Sequence, residues 1–183
     1  MTDFEAADAY AAEFKQEYDL SDSDFVRSIL ADGKVEVSEL QDAQRHLTTC
    51  MAEAGYSIRL GFDSDGLPTE AWETGHDTEP FTDAEMDAMQ TAYGPCRDRW
   101  MGLADTLFQY VQTNPNNEDW DGLVAGCLVR HGMVAEGFTG QDHKELWQNA
   151  NDDDDSTGMG PYLPGGRGLG EPEGQQCETV PLR

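Results

Sequence analysis

The stretch SELQDAQRHLTTCMAEAGYSIRLGFDSDG, residues 38–66, contains a change of hydrophobic period that decides the fold class. From Ser38 to Ala54 the apolar residues recur every three or four positions, which is the spacing of one helix face. Gly55 stands where a left-handed residue commonly ends a helix. Residues 56–62 then alternate apolar and polar side chains and run into an Asp-Ser-Asp-Gly turn. This pattern predicts a helix followed by a small β-hairpin near residues 56–73.

Helical periodicity extends on both sides of this stretch, so the sequence predicts a mainly α protein, an irregular helical bundle. Gly94-Pro95 is expected to interrupt the helix that begins at Thr82, because proline lacks the amide hydrogen that a helix interior needs. Leu103 is expected on the buried face of the helix that follows. The other predicted helices cover residues 3–18, 25–30, 96–111, 118–131 and 142–150.

The composition changes at residue 151, where a four-aspartate run precedes a segment rich in glycine and proline. Such a segment buries little apolar surface and favours disorder when it is left alone. Cys177 nevertheless lies beyond it, which makes sense as a tether. We therefore expect a helical domain over residues 1–150 and an extended, ordered C-terminal strap over 151–183, with the aspartates exposed. The apolar residues that could dock this strap are Tyr162, Leu163 and Pro164.

The four cysteines are even in number, widely spaced and without a CxxC pair, a pattern that favours structural disulfides in an oxidising compartment. Four cysteines allow three pairings. We expect Cys50–Cys96, because these residues lie on consecutive helices joined by the hairpin, and Cys127–Cys177, which would attach the strap. Another pairing and four free thiols are the alternatives.

The residue spacing suggests two possible metal sites, and we expect neither of them to bind a metal. His46 precedes Cys50 by four residues and His131 follows Cys127 by four, so two helix faces could together offer a Cys₂His₂ zinc site. Residues 28–39 resemble part of a calcium-binding EF-hand loop, but a leucine stands where the third position needs an oxygen ligand. We expect neither metal nor cofactor.

The net charge of −26, from 37 acidic and 11 basic residues, is the most unusual property of the composition. It disfavours direct binding to nucleic acid and to anionic membranes, because both need lysine and arginine to replace counterions. It also favours a soluble monomer. No stretch approaches the roughly 18 apolar residues of a membrane span, and the residues after Met1 lack the pattern of a signal peptide. The remaining partners are a basic protein surface or envelope component, a divalent cation such as Ca²⁺, or an uncharged ligand.

The segment around Cys50 resembles a group of small exported, cysteine-containing proteins and lipoproteins of actinobacteria. The resemblance covers about residues 25–131 together with Cys177, and it includes the hairpin turn and a second cysteine on the following helix. It implies a location outside the membrane and disulfide bonds, and it implies no activity. The matching residues are Leu30, Asp32, Gly33, Val35, Ser38, Glu39, Cys50, Met51, Glu53, Ala54, Gly55 and Tyr56.

The sequence contains no nucleophile elbow, no zinc-protease motif and no phosphate-binding loop placed between a strand and a helix. Residues 165–170 are glycine-rich, but the pattern predicts no helix after them. Arg97, Arg99 and Trp100 form a basic and aromatic cluster that we expect to serve packing and salt bridges. We therefore expect a non-enzymatic secreted or cell-envelope binding module. One alternative is a cytosolic DNA mimic, whose carboxylates imitate phosphates and block a nucleic-acid-binding protein, and another is an unrecognised hydrolase.

Overall fold

The computed structural model of the protein describes residues 9–73, 82–150 and 161–182. The chain forms two compact units, residues 1–112 and 113–183. The predicted mainly helical fold with one β-hairpin and two disulfides is confirmed. The elements are α1 (Ala11–Leu20), α2 (Asp24–Leu30), α3 (Val37–Glu53), β1 (Ser57–Phe62), β2 (Pro68–Glu73), α4 (Asp83–Trp100), α5 (Ala104–Thr113), α6 (Trp120–Arg130), α7 (Gly140–Ala150) and α8 (Pro172–Thr179).

Helix α3 supplies the centre of the first hydrophobic core. Its residues Leu40, Ala43, Leu47 and Met51 recur every three or four positions and are all 0% exposed, as the sequence period predicts. Helix α3 packs against β1 and α4. The core is completed by buried residues of the neighbouring elements, among them Tyr10, Phe14, Val26, Ile29, Leu30, Ile58, Met101, Leu107 and Phe108.

The hairpin is antiparallel, and its register pairs Ser57 with Glu73 and Phe62 with Pro68. Because side chains alternate between the two faces of a strand, Ile58 of β1 is buried at 4% exposed, whereas the adjacent Ser57 and Arg59 are exposed. Asp63 Oδ1 accepts hydrogen bonds from the amides of Asp65 and Leu67 at 2.8 and 2.9 Å. This aspartate therefore closes the turn that the sequence predicts.

The predicted break at Gly94-Pro95 is wrong, because α4 runs through Pro95 to Trp100. The chain breaks instead at Gly102, whose φ of +53° ends the helical conformation. A Cβ at Gly102 would also lie 2.9 Å from Val26 Cγ1 of α2, so crowding adds to the preference for glycine there. Leu103 lies in this break and is 46% exposed, which corrects its predicted burial.

The second unit has its own core, built on Val124, Cys127 and Leu128 of α6. Leu163 docks as predicted and is 3% exposed, whereas Tyr162 is 72% exposed and Pro164 is also exposed. Leu169, which was not predicted to dock, is 2% exposed and supplies another apolar contact.

Helix α8 is a feature of the tail that we did not expect from the composition. Glu171 is its N-cap and Pro172 occupies the first turn, where a missing amide hydrogen costs nothing. The predicted division of the chain at residue 150 stays a prediction, because residues 151–160 lie outside the described residues. The aspartate run 152–155 and the predicted first helical turns, residues 3–8, also lie outside them.

Candidate functional site

An acidic cleft of about 510 Å³ opens on the first unit. Its charged lining consists of three carboxylates, those of Glu17, Asp22 and Asp98, and one guanidinium, that of Arg99. The rest of the lining is made by Leu20, Ser21, Ser23, Pro95 and Gly102. Leu20 is 69% exposed, so the cleft offers apolar surface beside its negative charge.

Helix ends hold the walls of this acidic cleft in place. Helix α1 ends at Leu20, and Ser23 caps α2 by accepting a hydrogen bond from the amide of Val26 at 3.2 Å. The Ser23 hydroxyl also donates to the carbonyl of Arg99 at 2.6 Å, which ties the start of α2 to the end of α4. Glu17 Oε1 accepts from the amide of Leu103 at 3.1 Å. The cleft is therefore built by the fold and does not depend on a partner.

Arg99, the basic residue of the cleft, contacts the ring of Trp100. The Arg99 guanidinium carbon lies 4.7 Å from the centre of the Trp100 ring, within the range of a cation–π contact. His46 stacks on Trp100 with ring centres 4.4 Å apart, and Phe25 meets both rings edge-on. The predicted packing role of Trp100 agrees with these contacts.

Arg97 does form the salt bridge that we expected for this cluster. Its Nη2 lies 2.8 Å from Asp105 Oδ1, and its Nη1 donates to the Tyr93 hydroxyl at 2.9 Å. The Tyr93 hydroxyl in turn donates to Glu70 Oε2 at 2.6 Å. Burial and the hydrogen bond to Glu70 raise the pKa of Tyr93 to about 12, so this phenol stays neutral at physiological pH. The network joins α4 to β2 and α5.

A smaller cavity of about 240 Å³ lies beside this network. It is lined by Glu70, Trp72, Met86, Met89, Gln90 and Tyr93. The Trp72 and Tyr93 rings meet edge-on at 5.0 Å. Its wall is mainly apolar, in contrast to the acidic cleft.

The four cysteines form the pairs that we expect from the sequence, Cys50–Cys96 and Cys127–Cys177. Cys127 and Cys177 are both 0% exposed and belong to the second core. Each compact unit thus contains one disulfide, and two disulfides indicate an oxidising environment.

Both cysteines of the Cys₂His₂ zinc site considered above are bonded in disulfides. Side-chain ligand atoms of Cys127, His131 and Cys177 lie within 4.8 Å of one another. A cysteine binds zinc as a thiolate, however, and the two sulfurs of this group are bonded to each other. His46, the other histidine of the alternative, is stacked on Trp100.

In the EF-hand-like loop, residues 28–39, the side chain of Glu39 takes part in capping helix α3. Glu39 Oε2 accepts from the amide of Glu36 at 2.9 Å and thereby completes a capping box at the start of α3. Lys34 Nζ lies 2.7 Å from Glu36 Oε1. The carboxylate that would be the main calcium ligand is thus used by the helix.

The glycine-rich segment 165–170 is followed by α8, which corrects the expectation that no helix follows it. The amide of Gly168 donates to Glu171 Oε1 at 3.1 Å. Arg167 donates to Glu171 Oε2 from Nε at 2.9 Å and from Nη2 at 2.7 Å. The hydrogen bonds from Arg167 and Gly168 lower the pKa of Glu171. The Arg167 side chain and the Gly168 amide therefore already have a carboxylate partner within the protein.

His143 of α7 is the principal ionisable group inside the second unit, and the sequence analysis missed it. It is 2% exposed. Its Nδ1 lies 2.7 Å from Asp121 Oδ1 of α6, and its Nε2 lies 2.7 Å from Glu178 Oε1 of α8. A signal was present in the sequence, because Leu146 and Trp147 follow at three and four residues and place His143 on the apolar face of its helix.

No known protein family, curated protein or solved structure matches this chain. Within residues 9–73, 82–150 and 161–182, no helix is long and apolar enough to span a membrane.

Proposed function

We propose that this chain is a non-enzymatic binding protein of an oxidising, extracytoplasmic compartment, and that its acidic cleft receives a cationic side chain of a partner protein. The observation that carries the proposal is the lining of the cleft, where three carboxylates and one guanidinium stand beside exposed apolar surface. A lysine or arginine side chain suits such a lining, because its aliphatic stem packs on apolar walls while its charged end stays polar.

Different residues of the cleft offer the apolar contact to the stem and the polar contact to the charged end. Leu20 and Pro95 offer apolar wall, and Asp22 and Asp98 offer exposed carboxylates. Arg99 contacts the Trp100 ring. The three carboxylates of the lining outnumber this one guanidinium, so the local charge is negative. The net charge of −26 adds a long-range field that speeds the arrival of a basic partner and weakens as salt is added.

The location rests on two lines of support. Disulfides persist in compartments outside the reducing cytosol, and the chain has two. The resemblance of residues 25–131 to exported actinobacterial proteins points the same way and suggests a secreted or envelope protein. A cytosolic DNA mimic would have no need of a disulfide in each compact unit, so the extracytoplasmic binding module is the better supported of the two functions.

The binding prediction compares two double variants of equal charge. A lysine hexapeptide is the probe, and titration calorimetry or fluorescence anisotropy at low salt measures its Kd. Asp22→Asn with Asp98→Asn removes two cleft carboxylates, and each exposed ion pair contributes up to about 1 kcal/mol. We therefore expect the Kd to rise about tenfold.

The control is Glu53→Gln with Asp87→Asn, which removes two exposed carboxylates from outside the cleft lining. We expect this control to change the Kd less than twofold. Equal weakening by both double variants would mean that the peptide responds only to net charge, and the cleft would then not be the binding site.

A further inference from the structure

The second unit contains a buried histidine held on both ring nitrogens by carboxylates from two other helices. Asp121 of α6 and Glu178 of α8 each approach the His143 ring to 2.7 Å. The side chains of Asp121 and Glu178 are 25% and 24% exposed, while that of His143 is 3% exposed. The imidazole therefore lies inside the unit, and both carboxylates have access to water.

We propose that His143, Asp121 and Glu178 form a proton-operated clamp, which holds α8 to α7 and α6 when the imidazole is charged and releases Glu178 when the pH rises. An imidazolium has two N–H donors, so it can satisfy both carboxylates at once. A neutral imidazole has one donor and one lone pair, so it can satisfy only one of them. The site is thus complete in one protonation state alone.

The position of Trp147 indicates that Glu178, and not Asp121, is the carboxylate that is released from the His143 ring. The Trp147 indole Nε1 lies 3.2 Å from His143 Nε2. In the charged ring Nε2 carries a proton, so the indole cannot donate to it. When that proton leaves, the Nε2 lone pair can accept the indole N–H, while Nδ1–H continues to donate to Asp121. The neutral state therefore has its own hydrogen-bond partner for Nε2, and Glu178 is left without one in the clamp.

The two carboxylates that face the ring favour its protonation. Asp121 faces it from α6 and Glu178 from α8, and Lys144 of α7 lies 3.7 Å from the second oxygen of Asp121. Burial opposes the charge on the ring, but the hydrogen bonds to Glu178 and Asp121 outweigh burial and raise the pKa of His143 above 6.5. The stabilising contribution of the clamp is therefore fully present below pH 6.5 and is lost as the pH rises through the raised pKa.

The disulfide limits what the release can move. Cys177 precedes Glu178 and is bonded to Cys127 of α6, so the last turn of α8 stays attached at Cys177 in both states. The group that gains freedom is the Glu178 side chain, because Pro181 beyond it is buried and its carbonyl accepts from Arg130 Nη2 at 2.6 Å in both states. The clamp is therefore a local, reversible device, and the second unit stays folded when it opens.

The first test is an NMR titration of the His143 ring protons between pH 5 and pH 9 in the parent and in Glu178→Gln. The clamp predicts that His143 titrates within this range in the parent, with a midpoint above 6.5, and that Glu178→Gln lowers the midpoint. Glu145→Gln, an exposed change on α7, is the matched control and should leave it unchanged. A parent midpoint at or below 6.5, or the same midpoint in Glu178→Gln as in the parent, would overturn the proposal.

The second test measures unfolding and does not depend on assigning the histidine resonance. Glu178→Gln should raise the unfolding equilibrium constant of the second unit about tenfold at pH 5.5, which corresponds to one charge-assisted hydrogen bond. The difference from the parent should shrink toward zero as the pH rises through the raised pKa of His143, because the clamp is then open in both proteins. A penalty that stays constant from pH 5.5 to pH 9 would show an ordinary structural contact and contradict the clamp.

Discussion

Removing the Cys127–Cys177 disulfide is expected to destabilise the second unit by about 4 kcal/mol in the chain-entropy view of cross-links. The bond closes a segment with a sequence separation of 50, and opening it frees that segment in the unfolded ensemble. Both sulfurs are 0% exposed and pack with Leu163 and Leu169, so Cys127→Ala with Cys177→Ala also removes core contacts. The described tail, residues 161–182, should become the first site of proteolysis.

The matched control is Cys50→Ala with Cys96→Ala, which opens a segment with a sequence separation of 46 in the first unit. Differential scanning calorimetry and limited proteolysis should locate each loss in a different part of the chain. The first double variant should expose the tail, and the second should expose residues within 1–112. A Cys127→Ala, Cys177→Ala protein as stable and as protease-resistant as its parent would show that the tail needs no tether.

Gly140→Ala is expected to destabilise the second unit by about 2 kcal/mol or more, the range of overpacked contacts. A Cβ at Gly140 would lie 2.6 Å from the amide nitrogen of Gly122 and 2.9 Å from the carbonyl carbon of Asp121. Both are backbone atoms, so they cannot move aside as the end of a side chain can. Helices α6 and α7 must separate, and the 2.7 Å contact between His143 and Asp121 should lengthen with them.

Gly126→Ala on α6 is the control for this substitution. Its Cβ would have the Arg130 guanidinium as nearest neighbour at 3.5 Å, and alanine is favoured over glycine inside a helix by up to about 1 kcal/mol. We expect this variant to be as stable as the parent or slightly more stable in urea unfolding. If Gly140→Ala were equally well tolerated, the close crossing of α6 and α7 would be incorrect.

The features that could be predicted from the sequence are those with local causes. The period of α3, the Asp-Ser-Asp-Gly turn and the helix start at Thr82 depend on neighbouring residues, and each is present in the structure. Helix α8 also had local signals, an acidic N-cap at Glu171 followed by Pro172. We missed it because the glycine content of the surrounding segment favoured disorder.

The position of the helix break depended on packing between distant segments. Pro95 removes one hydrogen bond and is tolerated within α4, whereas Gly102 has a positive φ and lies close to Glu17 of α1 and Val26 of α2. Only knowledge of those neighbours could have moved the predicted break from Gly94 to Gly102.

The candidate sites were the least predictable part of the molecule. The cleft uses three of 37 acidic residues, and nothing in the local sequence distinguishes Glu17, Asp22 and Asp98 from the others. His143 could be placed on an apolar helix face. Its two carboxylate partners are 22 and 35 residues away, however, so the clamp required the arrangement of three helices.

The central claim is that both disulfides form where the protein works, outside a reducing cytosol. The most direct measurement traps the thiols of the native cells with an alkylating agent before lysis and maps the peptides of this chain without reduction. We predict no alkylated cysteine and two cross-linked peptide pairs, Cys50 with Cys96 and Cys127 with Cys177. Four alkylated, unlinked cysteines would contradict the claim and return the protein to the cytosol.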